Sequence, residues 1–166
     1  MQQTARGRLV LQQGLFFGAI LGVVDLARTL VEGPTGLTAA VPGALGIVTF
    51  LVVAAGFVYL GYRVAARAGK ASQGALAGLI AGLVVWACYV AGALLVTFSN
   101  QETLRRQFQS AADQAHLGIQ YTTGTVLAAI IVTLAFAFAV FLGAGVGAGL
   151  GALGGLFGKR RPVRAV

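Results

Sequence analysis

Apolar and polar positions alternate along this chain in long blocks. Residues 9–31 form the first apolar block, 23 positions that as a helix would reach about 34 Å at about 1.5 Å per residue. The hydrocarbon core of a bilayer is about 30 Å thick, so the block predicts a membrane-spanning helix. Glu32-Gly33-Pro34-Thr35-Gly36 is a turn cluster that ends it. A second span is predicted over 42–66, opening on Pro42, a residue tolerated in a helix's first turn. Tyr59 and Tyr62 lie beside Arg63 near its end, as an interfacial aromatic anchor does. A short polar turn carrying Lys70 leads to a third span over 73–98. The last apolar block, 125–158, is longer than one crossing needs. A fourth span is placed at 121–145, with the glycine-rich remainder as a helix end beyond the membrane.

Residues 99–120 differ in character, being polar and carrying both charge signs. Ser99 and Glu102 have the spacing of a capping box, and Leu104, Phe108, Ala111, Ala112, Ala115 and Ile119 recur at helical period. This predicts an amphipathic helix within 100–118, lying on the membrane surface. The chain also echoes itself. Residues 13–24 match 73–84 at Gln13, Gly14, Gly18, Ile20, Gly22 and Val24, and residues 58–69 match 140–151. The offset grows from 60 to 82 positions between the two matches, as an insertion the length of 99–120 would produce. The expected fold is therefore all-α: one polytopic domain over 1–166, with four transmembrane helices as two tandem hairpins (9–66 and 73–158) plus one outer amphipathic helix.

Composition supports the class. The chain is 58% hydrophobic and 10% charged, with mean hydropathy +0.88, whereas a soluble domain is about 25% charged. The +8 net charge does not indicate nucleic acid, because the basic residues flank apolar runs, the pattern that sets membrane orientation. With the N-terminus inside, Arg6, Arg8, Arg63, Arg67, Lys70, Lys159, Arg160, Arg161 and Arg164 are internal and only Arg28, Arg105 and Arg106 external. Both termini are thus expected in the cytoplasm and the protein in the cell membrane, plasma or inner. All four acids, Asp25, Glu32, Glu102 and Asp113, fall on the outer half. The basic start resembles a signal peptide, but Asp25 and Arg28 interrupt the block, and the first helix is expected to be retained. Cys88 and His116 are the only residues of their kinds, so neither a disulfide nor a Cys/His metal site is expected, and no cofactor.

Gly14, Gly18 and Gly22, and again Gly74, Gly78 and Gly82, form rows at every fourth residue that let helix backbones approach closely in lipid. They predict that the first and third spans pack within one chain; a homo-oligomer seam is the alternative. Gly143, Gly147, Gly151 and Gly155 form a third row, read either as a packing face or as an easily kinked helix end. Gly149, Gly151 and Gly154 fit a dinucleotide fingerprint by spacing, but that motif needs a preceding strand in a βαβ unit.

Asp25, with Arg28 three residues on, is a candidate functional acid and also an interfacial ion pair. Arg105, Arg106, Asp113 and His116 are the polar candidates of the outer segment. Trp86, Cys88 and Tyr89 read as packing residues beside glycines. The tandem hairpins are superficially similar to a duplicated rotary-ATPase proteolipid, whose ion-binding carboxylate lies in the second helix of a hairpin. Neither the second nor the fourth span here holds an Asp or Glu, so the similarity stops at the residue that would carry the activity. With no catalytic constellation, the expected role is a non-enzymatic scaffold or accessory subunit of a membrane complex. The alternative is a small transporter or channel, as internal repeats suggest.

Overall fold

A computed structural model describes residues 2–38, 43–118, 120, 122, 124–133 and 145–159. The protein is all-helical, with no strand among the described residues. Among the described residues six helices follow in order: α1 (Gln2–Thr38), α2 (Ala44–Ala68), α3 (Ala71–Ser99), α4 (Gln101–Gln114), α5 (Gly124–Thr133) and α6 (Val146–Lys159). Three of them, α1 over Gly7–Thr35, α2 and α3, are long and apolar enough to cross a membrane. The expected turn at 32–36 appears as a kink at Gly33, with φ 55° and ψ −143° ahead of Pro34, and helix resumes to Thr38. Only glycine reaches that conformation without strain. Gly69, in the left-handed region, closes α2 by donating its N–H to the Ala65 carbonyl at 2.8 Å. Pro42, Ile119, Gly143 and the segment 134–144 lie outside the described residues.

α3 is the central helix. α1 runs parallel to it, with Gly14 against Ala77 and Ile80, Gly18 against Ala81 and Val84, and Gly22 against Cys88. α6 runs antiparallel on a neighbouring face of α3, with Gly147 beside Gly78, Gly151 beside Gly74 and Gly155 beside Ala71. α6 also lies along α2, where Gly154 meets Val58 and Gly158 meets Tyr62 and Ala66. The closest pairings therefore cross the two hairpins: α1 packs chiefly on α3, and α2 on α6. One core holds Val10, Leu21, Phe57, Leu60, Val64, Ala77, Ala81 and Val85.

The first and third spans do pack against each other, but not through facing glycine rows. The row of α1 rests on the alanine and valine ridge of α3, and the row of α3 is turned to α6. Of the two readings open for the third row, Gly147, Gly151 and Gly155 form a packing face. Residues 146–158 are a helix wedged between α2 and α3, because so many glycines let backbones, and not side chains, set the interhelical distance.

The outer amphipathic helix is shorter than expected. It ends at Gln114, and Ala111 and Ala115 are exposed. The capping box is not formed: Ser99 is the last residue of α3, and the Glu102 carboxylate accepts hydrogen bonds from Arg105 and Arg106. Asn100 instead caps α3 through its side-chain amide, 3.0 Å from the Val96 carbonyl. α4 is anchored by Leu104, which joins Ala93, Val126 and Ile130 in a second core, with Phe108 half-buried beside it.

His116 sets the end of α4. Its φ of 52° is left-handed; its N–H bonds the Asp113 carbonyl at 3.1 Å and the Leu117 N–H bonds that of Ala112 at 3.0 Å. This is the Schellman pattern, whose left-handed position glycine fills without the steric cost of a Cβ, about 1–2 kcal/mol for other residues. His116→Gly is therefore expected to raise stability by up to about 1 kcal/mol, read as a higher unfolding temperature in detergent. A lower temperature would show that the imidazole itself makes a needed contact.

Candidate functional site

Two polar constellations stand out, one within the bundle and one on its surface. The first is a ladder on α1. Arg28 Nε lies 3.1 Å from Asp25 Oδ1, and Arg28 Nη1 lies 3.3 Å from Glu32 Oε2. The spacings i,i+3 and i,i+4 put all three on one helix face. Their side chains are only 15–20% exposed. The Thr29 hydroxyl donates to the Asp25 carbonyl at 2.9 Å, and Gly92 of α3 lets that helix close on Leu26 and Thr29. The Asp25–Arg28 pair anticipated from sequence is present, and Glu32 completes it as a triad.

The ladder borders a cavity of about 400 Å³, within the range of small-molecule sites. Its walls are Asp25 and Arg28 of α1, Phe50, Val53 and Phe57 of α2, Val85, Trp86 and Tyr89 of α3, and Val146 and Leu150 of α6, with Thr49 also on the wall. Trp86 and Tyr89 are thus cavity residues and not merely space-fillers beside glycines. Cys88 alone keeps that role, against Gly22. Sequence reasoning missed Thr49, Phe50 and Phe57. The aromatic residues at 50 and 57, two helical turns apart on α2, were the available signal.

Thr49 is distinctive. The hydroxyls of Thr29, Thr97 and Thr133 each donate to the carbonyl four residues before them. Thr49 is 6% exposed, yet its hydroxyl makes no hydrogen bond among the described residues. The Tyr89 hydroxyl likewise has none among the described residues, and Tyr89 stands within electrostatic reach of Arg28, Asp25 and Glu32.

The second constellation covers α4. Glu102 accepts hydrogen bonds from Arg105 at 2.9 and 3.0 Å and from Arg106 at 3.1 Å, and Gln109 donates to Asp113 at 2.9 Å. The bonds from Arg105 and then Arg106 hold the Glu102 carboxyl well below the usual range, at about 2. Its contribution to stability is accordingly present above the ordinary value of 4.5 and lost as pH falls towards 2. Arg105, Arg106, Gln109, Ser110, Asp113 and Gln114 border one shallow, open groove. The structure thus gathers Arg105, Arg106 and Asp113, sets Asp25 and Arg28 apart from them, and puts His116 in a turn that its backbone conformation defines. Among the described residues, no three His, Cys, Asp or Glu side chains cluster as metal ligands.

No protein-family model, curated protein or solved structure matches the chain.

Proposed function

We propose that this is a four-span membrane protein with both termini in the cytoplasm, acting without catalysis as an accessory subunit of a larger membrane complex. A fourth crossing is supported by the positions of α5 and α6. Val126 and Ile130 pack on Ala93 near the C-terminal end of α3, whereas Gly155 lies beside Ala71 at its start. α5 and α6 thus meet opposite ends of α3. The orientation is supported by charge. The end where α2 and α6 finish carries Arg8, Arg63, Arg67 and Lys70, and Lys159 closes α6 there. At the opposite end Arg28, Arg105 and Arg106 are all paired with carboxylates. Lys and Arg close to the ends of membrane spans mark the cytoplasmic side.

The observation that carries the accessory role is the docking of α4. Leu104 and Ala112 are buried on the protein's own helices, which leaves the polar face outward. The glycine rows are used inside the chain, so they supply no seam for self-association. The partner contact is assigned to Arg105, Arg106, Gln109 and Asp113. Replacing Arg105, Arg106 and Asp113 together by Ser should leave expression and helicity unchanged. Recovery of the complex on native-detergent purification should fall by about tenfold, the effect of losing about 1.4 kcal/mol of binding. If the complex survives this variant and only Phe108→Ser disrupts the protein, α4 is a lid and the reading fails.

The cavity favours a second reading, a small transporter. Solute flux into proteoliposomes of the purified protein, abolished by Asp25→Asn, would establish it in place of the first.

A further inference from the structure

We propose that the cavity among α1, α2, α3 and α6 binds an apolar, lipid-sized molecule through a neutral carbonyl head. Its volume, about 400 Å³, is well above the roughly 150 Å³ that already admits a benzene ring in an apolar protein interior. Its walls are aliphatic and aromatic, with Phe50, Phe57 and Trp86 suited to a flat or chain-like body. A ligand's apolar body alone gains little on leaving lipid, so the polar groups must decide what binds.

Those groups are donors beside an Asp25 carboxylate that is already paired with Arg28. Thr49 lines the cavity and its hydroxyl makes no hydrogen bond among the described residues, unlike the intrahelical bonds of Thr29, Thr97 and Thr133. The Tyr89 hydroxyl makes none either. Arg28 engages Asp25 and Glu32 through Nε and Nη1, and its Nη2 makes no hydrogen bond among the described residues. A head that accepts hydrogen bonds satisfies these donors. An anionic head would meet the net negative Asp25–Arg28–Glu32 triad, and a cationic ammonium head has no acceptor to offer the Thr49 and Tyr89 hydroxyls. A neutral carbonyl remains, carried either by a ring, as in an isoprenoid quinone, or by an acyl ester.

Trp86 is the only tryptophan in the chain and lines the cavity, so its fluorescence reports occupancy directly. Full-length protein in nanodiscs is titrated with decylubiquinone, monoolein, oleate and decylbenzene. A saturable change in Trp86 emission with decylubiquinone, monoolein or both, and with neither of the others, is expected. Decylubiquinone alone identifies a ring carbonyl; monoolein alone identifies an acyl ester; both together leave the carbonyl as the recognised feature. Thr49→Val should raise Kd about fivefold, the loss of one hydrogen bond, and Tyr89→Phe provides the same test at the second hydroxyl. Leu51→Ala, at an exposed position of α2, should change nothing. Linear, unsaturable quenching would overturn the proposal. So would oleate or decylbenzene saturating as tightly as the carbonyl probes, a result that needs no variant to fold. Unchanged Kd in both hydroxyl variants would overturn it as well.

Discussion

Gly151→Ala should destabilise this protein, and Gly149→Ala, two residues away on the same helix, should stabilise it. Helix propensity alone favours alanine over glycine by about 0.8–1.0 kcal/mol at either position. Gly149 is exposed, and an added Cβ meets nothing within 4 Å, so the gain is kept. Gly151 is enclosed by backbone: an added Cβ would lie 2.5 Å from the Gly74 carbonyl oxygen and 3.2 Å from Gly78 Cα. Gly74 is equally confined, its Cβ position 2.7 Å from the Gly61 oxygen and 2.9 Å from that of Gly151. At this junction of α2, α3 and α6 no flexible side chain can yield, so three helices must separate. Overpacking costs about 1–3 kcal/mol in a well-packed core, and the upper part of that range applies where only backbone can move. Thermal unfolding followed by size-exclusion in detergent should show the Gly151 variant aggregating several degrees below the parent and the Gly149 variant above it. Equal behaviour of the two would mean that α6 does not sit between α2 and α3.

The three helices able to cross a membrane were legible because run length and charge suffice to specify them. Gly33-Pro34 marked a break in α1 and Gly69 the end of α2 by backbone chemistry that needs no tertiary context. The partner of each glycine row was not legible. Rows with the same four-residue spacing are interchangeable in sequence, and Gly14, Gly18 and Gly22 could lie on any ridge of small residues. They lie on the Ala77–Ala81–Val84 side of α3 because α6 takes the glycine side. The Asp25–Arg28 pair could be read from its spacing, whereas Glu32 was assigned to a turn and its bond to Arg28 was missed. Helix α1 in fact continues through it. The cavity draws its walls from four helices, and each wall residue looks ordinary in its own segment. Only the absent bond of Thr49 distinguishes it, a feature of geometry and not of residue type.

Leu104→Ala should release α4 while leaving the membrane helices assembled. Leu104 is 0% exposed and is held by Ala93 of α3 and by Val126 and Ile130 of α5. Truncating a buried leucine costs about 2–5 kcal/mol. α4 has 14 residues, a length at which an isolated helix is marginal in water, so its order depends on this contact. Its ion pairs cannot compensate. They run within the helix, from Arg105 and Arg106 to an exposed Glu102, and exposed pairs of this kind contribute little to docking. The loss should therefore appear as local opening, not global unfolding. In a Cys88→Ala background, a cysteine at Ala112, buried in the parent, should react with a water-soluble maleimide at least about tenfold faster once Leu104 is truncated. A cysteine at Ala81, in the core between α1 and α3, should remain protected. Arg105→Ala with Arg106→Ala should alter neither rate. Protection retained at 112 would show that α4 is held by something other than Leu104. Protection lost at both positions would show that α4 is part of the bundle's single cooperative unit, and polar substitutions on its outer face could then no longer be read as effects on binding alone.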